Sequence, residues 1–295
     1  MIQEFINEAW GYHADDPERV AAELEALDLE EMELSLLAPL FALSNHTVGE
    51  HLNQWPRASA LAEKAAEQFD KVKLEPRHWN RLSTAAFMAG NLVRGHEAEL
   101  NSMSVAGEDS VAAVIENKVF ITAALVASGL VSEALSVFTV VKTLTEKRTD
   151  THYADRSVAI ATNGIASDLV ELEERTPEQD QMMSEAAHLS LHSWRKCGTW
   201  INDVRGLYLL SYVENARSRH QLAIDHGLEA LSVLEKNGGD DVEEAFVRLE
   251  LARAYQLLAD KHSAGEHLDV ADTLANKWED KGLADFYQKE KAKYF

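Results

Sequence analysis

The sequence predicts an all-α protein built from stacked pairs of antiparallel helices. Nearly every long segment shows the i, i+3, i+4, i+7 apolar period of an amphipathic helix, and strand signals are close to absent. Alanine-rich helical segments recur in pairs along the 295 residues, at a spacing of roughly 36 to 50 residues. Only 14 glycines and 5 prolines are present, which argues against disorder and all-β folds.

Two lead-in helices are predicted first, over 2–12 and 17–37. Asp16-Pro17 places a proline in a first helical turn, where no backbone donor is needed. Pro39 is predicted to begin the next helix.

About six helix pairs are predicted to follow. Glu75-Pro76 and Thr176-Pro177 mark two helix starts, and Thr176 with Gln179 forms a capping box. The predicted pairs are 39–52 with 56–70, 76–89 with 94–103, 110–127 with 132–146, 152–174 with 177–196, 200–216 with 219–236, and 241–259 with 263–279. A closing helix over 283–295 is expected to cover the last pair. The expected organisation is one continuous domain with lead-in helices in 1–38, the array in 39–280 and a capping helix in 281–295.

One apolar stretch, Val119 to Val141, carries few charges and has the length of a membrane span. Gly129 can end one helix near its midpoint, and Ser132 can cap the next. We therefore expect two buried helices here and no membrane association.

Charge and cysteine content restrict the function further. Fifty acidic residues against 28 basic ones give a net charge of −22, which disfavours nucleic-acid binding because the field repels polyanions. The single cysteine, Cys197, excludes an internal disulfide. The acidic start of the chain lacks the basic region of a signal peptide, so a cytoplasmic location is expected.

Several copies of the repeat resemble the tetratricopeptide repeat. Trp79-x2-Leu82-Ser83 matches the opening of its signature, and Leu251-Ala252-x2-Tyr255-x3-Ala259 is the best copy. The closing proline is missing, and the spacing exceeds the 34 residues of the family. The resemblance covers about 39–280 and implies a right-handed superhelix, or α-solenoid, with capping helices at its ends.

In that family the first helix of each pair lines a concave groove that binds peptides. The resemblance assigns the following residues of this chain to the groove: Arg77, Asn80, Thr84, Phe87, Arg205, Tyr208, Tyr212, Asn215, Arg253 and Gln256, with Val119, Ala123 and Val126 between them. Arginine, tyrosine and asparagine are suited to recognising extended peptides. The Lys-x3-Asn pair that grips a terminal carboxylate in some members is absent, because Asn80-x3-Thr84 takes its place.

Histidines provide the main alternative chemistry. Glu185, His188 and His192 share one predicted helical face, and His46 with Glu50 and the adjacent His51 forms a second cluster. Most such histidines make structural hydrogen bonds, so no metal site and no cofactor are predicted. No nucleophile motif or phosphate-binding loop is present.

The sequence therefore favours a scaffold, without catalysis of its own, that binds a protein or peptide. One alternative is a regulatory sensor whose array binds a small peptide or metabolite. A second is a metal-dependent enzyme around His188 and His192. The aromatic and lysine-rich segment 286–295 fits either a cap over the last repeat or a docking helix for a partner or for a second copy of the chain.

Overall fold

A computed structural model describes residues 2–150 and 152–295. Within these residues the chain forms helices and turns with no β-strand, which confirms the all-α prediction. The chain divides into two compact units, Met1–Ser157 and Val158–Phe295.

The first unit contains the predicted lead-in helices and three helix pairs. Its helices are α1 (Ile2–Ala9), α2 (Pro17–Ala26), α3 (Leu37–Ser44), a π-helix (Asn45–His51), α4 (Trp55–Ala66), α5 (Pro76–Met88), α6 (Leu92–Ala106), α7 (Ser110–Ala127) and α8 (Val131–Lys147). Helix α9 (Tyr153–Val170) begins in this unit and continues into the second.

The second unit continues the pairing. Its helices are α10 (Pro177–Cys197), α11 (Trp200–Ala216), α12 (His220–Lys236), α13 (Asp241–Leu257), α14 (Lys261–Ala275) and α15 (Lys281–Lys291). The predicted capping box at Thr176 is present: its hydroxyl accepts from Gln179 N, and the Gln179 side chain accepts from Thr176 N.

Three predicted boundaries are wrong. Helix α2 ends at Ala26 because Leu27 is extended, so the predicted helix over 17–37 is too long. Helix α3 begins at Leu37, and Pro39 therefore lies within its first turn. Ser132 lies inside α8, whose N-cap is Leu130.

The turn after the first helix of a pair has the same hydrogen bonds in four copies. Residues 90, 129, 218 and 259 all have a positive φ, between 58° and 80°. In each copy the amide of that residue donates to the carbonyl three residues earlier, and the next amide donates five residues back. These are the bonds of a helix C-terminal motif with a left-handed residue. The repeat is therefore visible in backbone geometry even where glycine is replaced.

Buried side chains also repeat across the pairs. Ser83 donates to the carbonyl of Gly95, and Ser211 donates to the carbonyl of Ala223, each over 2.9 Å and 12 residues. Both bonds join the first helix of a pair to the second. Together with the helix order, they show that the chain repeats a unit of two packed helices.

The most apolar helical stretch among the described residues is 92–127, long and apolar enough by composition to cross a membrane. More than half of its most apolar window, 56%, is buried inside the protein. Gly107 interrupts it with a positive φ of 58°. The stretch is accounted for as two packed helices, α6 and α7.

Candidate functional site

The candidate binding face of the second unit lies on the first helices of two successive pairs, α11 and α13. Tyr208 and Tyr212 are four residues apart on α11, and their stacked rings have centroids 6.3 Å apart. The guanidinium carbon of Arg253, on α13, lies 5.5 Å from the Tyr212 ring centroid. The structure thus brings together three of the residues assigned to the groove.

The last residues of the chain occupy this face. The guanidinium carbon of Arg253 lies 3.8 Å from the centroid of the Tyr294 ring, in a cation–π contact. The side-chain amide of Gln256 donates a 3.2 Å hydrogen bond to the main-chain oxygen of Tyr294. Because the Arg253 side chain is only 13% exposed, water screens the contact weakly. Helix α13 therefore binds both the ring and the main-chain oxygen of Tyr294.

Acidic groups surround the residue before Tyr294. The ammonium group of Lys293 lies 3.1 Å from Glu171 Oε2 and 2.8 Å from Glu290 Oε2. The Tyr212 hydroxyl donates to the other oxygen of Glu171 over 2.6 Å. Burial, reinforced by this hydrogen bond, raises the pKa of the Tyr212 hydroxyl far above its usual range. Tyr212 therefore stays protonated and acts as a donor to Glu171.

An aromatic cluster anchors α15 beside this face. Phe246 of α13 has ring-centroid distances of 5.9 Å to Tyr287 and 5.7 Å to Phe286. Tyr287 is fully buried, and its hydroxyl donates to Asp272 over 3.0 Å. Lys291 forms an ion pair of 2.7 Å with the same carboxylate. Helix α15 therefore covers the last pair, as expected for a capping helix.

Three residues assigned to the groove lie in the core, which corrects that assignment. Asn80 is fully buried and donates to Glu116 over 2.8 Å, joining α5 to α7. Thr84 donates to the carbonyl of Asn80 one turn earlier. Asn215 donates to the main-chain and carboxylate oxygens of Glu250, each over 3.0 Å. Asn80 and Asn215 connect successive pairs, and the burial of all three residues leaves no surface for a ligand.

The other assigned residues have local partners. Phe87 packs over the backbone of Gly95, Arg77 pairs with the neighbouring Glu75, and the exposed Arg205 pairs with Glu243. Val119 and Val126 are buried, and Ala123 is partly buried. In the first unit, the assigned residues therefore do not converge on one exposed cluster.

Sequence reasoning missed Glu171, Lys293 and Tyr294 as members of this face. Glu171 is the first residue after α9, in an acidic run that by sequence alone indicates a solvated helix end. Lys293 and Tyr294 follow α15, in the segment expected to form a cap or a docking helix. The available signal was the aromatic and basic composition of 286–295.

The structure also locates the groups that could hold a metal. Among the described residues, a convergence of three ligand-type side chains occurs at His13, His46 and His51. In the part of the chain that the structure describes, Glu185, His188 and His192 do not form such a group. The His188 ring is bonded through Nδ1 to the carbonyl of Ser184, which accounts for one of its nitrogens.

No protein-family model and no curated protein matches the chain. Its fold is similar to a crystal structure of "putative kinesin light chain nearly identical TPR-like repeats" from Podosopora anserina. The sequence identity is 16% and the TM-score 0.47, covering 72% of this chain and 99% of that one. A second crystal structure, of a singly substituted variant of the same repeats, is 17% identical with a TM-score of 0.45, covering 70% and 96%.

Proposed function

We propose that this protein is a repeat scaffold, without catalysis of its own, that binds a segment of a partner protein on the α11–α13 face. Stacked helix pairs present extended binding surfaces, and binding is their general role. The observation that carries the proposal is the contact of Arg253 and Gln256 with Tyr294. It combines recognition of an aromatic ring with recognition of a backbone carbonyl.

The chemistry of this face defines the partner. The ring site selects an aromatic side chain, and Glu171 with Glu290 selects a lysine immediately before it. The net charge of −22 favours approach of a basic segment. We therefore propose that the partner presents a lysine–aromatic pair in a basic segment and takes the position of Lys293 and Tyr294.

Exchange of the two segments requires little unfolding. Tyr287 is buried and holds α15 in place, whereas Lys293 and Tyr294 follow the end of the helix at Lys291. Their displacement breaks contacts with Arg253 and Gln256 but leaves the α15 anchor intact. Because the intramolecular segment has a high effective concentration, it weakens the apparent affinity for an external peptide.

Fluorescence polarisation with a labelled peptide copying residues 288–295 tests this proposal. Four full-length chains are compared: wild type, Tyr294→Ala, Arg253→Ala and Arg248→Ala. Tyr294→Ala vacates the ring site and should bind the peptide more tightly than wild type, by roughly tenfold if the site is nine-tenths occupied. Arg253→Ala removes the cation and should weaken binding relative to wild type.

Arg248→Ala is the matched control, because Arg248 lies on the same helix but pairs with Glu244. It should bind like wild type. A peptide in which alanine replaces the tyrosine should bind none of the four chains appreciably. Equal binding by Tyr294→Ala and Arg253→Ala would contradict the proposal.

A homodimer through the C-terminal helix stays a prediction. A second copy of this chain carries the same Lys293–Tyr294 pair, so exchange of these residues between two copies would use the same site. Sedimentation of the wild type across a concentration series distinguishes the two arrangements. Exchange between two copies raises the average mass with concentration, whereas contact within one chain leaves it unchanged.

A further inference from the structure

Three imidazole rings meet in the first unit. His13 lies in the turn after α1, and His46 and His51 lie in the π-helix. The ring centroids are 5.1 Å apart for His13 and His46, 5.4 Å for His13 and His51, and 4.6 Å for His46 and His51. One ring nitrogen from each residue lies within 4.8 Å of the other two. Two segments that are distant in sequence thus bring together three imidazole side chains, which bind metal ions in their neutral form.

The π-helix is what aligns two of these histidines. Residues five apart on an α-helix point about 140° apart, since each residue advances about 100°. The wider π-helical turn, shown by the 3.2 Å bond from Leu52 N to Thr47 O, brings such residues onto one side. As a result, Nε2 of His46 and Nε2 of His51 are 3.1 Å apart. π-helical turns occur frequently at functional sites.

Packing fixes this unusual turn. The indole ring of Trp55 lies directly on the backbone of Gly49, where an added Cβ would come within 2.5 Å of the ring. Trp55 is almost fully buried, and its Nε1 donates to Ser128 over 3.1 Å. The Trp55 side chain therefore packs tightly against the backbone segment that carries His46 and His51.

Hydrogen bonds set the tautomers of two of the rings. His13 Nδ1 lies 2.9 Å from the carbonyl of Trp10, and His46 Nδ1 lies 2.5 Å from Glu50 Oε2. A carbonyl can only accept, and an ionised carboxylate likewise, so each Nδ1 carries the proton. The Nε2 lone pairs of His13 and His46 are then available. Backbone carbonyl or carboxylate partners on the second ring nitrogen are the usual support of metal-binding histidines.

The distances suit a tetrahedral transition metal. With Zn–N bonds of about 2.0–2.1 Å, two ligand nitrogens are separated by roughly 3.3 Å. The observed 3.1 Å between His46 and His51 is close to that separation. The remaining separations reach at most 4.8 Å, and a small movement of the turn that carries both Trp10 and His13 can shorten them while the bond of His13 to the Trp10 carbonyl is kept. Without metal, Nε2–H of His51 donates to the Nε2 lone pair of His46, which holds these two nitrogens together.

We propose that His13, His46 and His51 bind a divalent first-row transition metal, with Zn²⁺ the best fit. Glu50 and the carbonyl of Trp10 orient the rings. His51 is exposed, so water takes the fourth position of a tetrahedral site. The metal would connect the turn after α1 to the π-helix and stabilise the packing of the lead-in helices, since an ion that binds only the folded state raises its stability.

Isothermal titration of metal-stripped, full-length protein with ZnCl₂ tests the site. The protein must carry no histidine tag. We expect one Zn²⁺ per chain, a rise in melting temperature with Zn²⁺, and the visible absorption of tetrahedral Co²⁺ when CoCl₂ replaces zinc. His51→Ala and His13→Ala should lose this binding. Glu50→Gln should keep it but weaken it by about 10- to 100-fold, because Glu50 acts through His46.

The chain offers a matched control. His262 and Glu266 form the same i, i+4 pair as His46 and Glu50, and the His262 side chain is 85% exposed. His262→Ala should therefore bind Zn²⁺ like the wild type. Circular dichroism of the metal-free variants checks that each remains folded. Equal zinc affinity and stoichiometry in wild type, His51→Ala and His13→Ala would overturn the proposal, as would absence of binding by the wild type.

Discussion

At the scale of single residues, buried polar groups are used to join helix pairs. Asn215 and Glu250 illustrate this, because the asparagine bonds both the main chain and the carboxylate of Glu250 on the next first helix. Arg253, one turn further along, lies 3.4 Å from the same carboxylate. The buried carboxylate of Glu250 therefore contacts both Asn215, which joins two helix pairs, and Arg253, which lies on the binding face.

The buried carboxylate predicts a pH dependence of stability. Burial raises the pKa of Glu250 above its ordinary value, and the opposing effects of Arg253 and Asn215 are smaller. The folded state therefore holds this proton more tightly than the unfolded chain, and stability decreases as pH rises from the ordinary carboxyl pKa through the raised one. Glu250→Gln cannot lose a proton, so its stability relative to wild type should increase over that pH range.

Urea unfolding of both proteins at a series of pH values measures this difference. Comparing the two chains cancels the titration of the other acidic groups. A stability difference that stays constant with pH would contradict the assigned burial effect.

At the scale of elements, helix starts and the pairing of helices were predictable from the sequence, whereas groove residues were not. Proline and capping signals are local, so α5 and α10 begin where Pro76 and Pro177 predict. The groove assignment failed for Asn80 and Asn215 because the resemblance places residues on the first helix of a pair without distinguishing its concave face from its contact with the next pair. The π-helix was also missed, since no helical period or capping signal marks it and the close packing of the Trp55 ring on the Gly49 backbone is seen only in the structure.

The repeated turn after each first helix gives a prediction for two equivalent positions. Ala259 has a φ of 62° and Gly129 a φ of 75°, both in the left-handed region. A side chain there costs roughly 1 kcal/mol, which glycine avoids. We expect Ala259→Gly to raise the free energy of unfolding by about 0.5–1 kcal/mol and Gly129→Ala to lower it by about 1 kcal/mol. No atom lies within 4 Å of a Cβ at Gly129, so backbone strain is the dominant effect.

Thermal and urea unfolding measure both changes. Gly164→Ala is a suitable control, since Gly164 is inside α9 with open space around it and an ordinary φ. Alanine there should stabilise the helix by about 0.5–1 kcal/mol. The account of the turn would be wrong if Gly129→Ala and Gly164→Ala shifted stability in the same direction.

At the scale of the whole molecule, acidic charge and a basic C-terminal segment act together. The net charge of −22 leaves few cations, yet Lys291 and Lys293 both pair with acidic side chains of the second unit. We propose that Lys291 belongs to the permanent anchor of α15, and that Lys293 and Tyr294 mark the place of a partner. The composition of 286–295 pointed to a cap or a docking segment, and the structure supplies the residues that receive it.

Hydrogen exchange of the full-length protein, with and without the unlabelled 288–295 peptide, measures whether an external segment replaces Lys293 and Tyr294 on the α11–α13 face. We expect a saturating peptide to increase exchange in residues 292–295 and to protect the α13 segment around Arg253 and Gln256, while α15 around Tyr287 stays protected. A bound peptide that leaves exchange in both segments unchanged would show that it binds elsewhere, and would contradict the assignment of the α11–α13 face as the binding site.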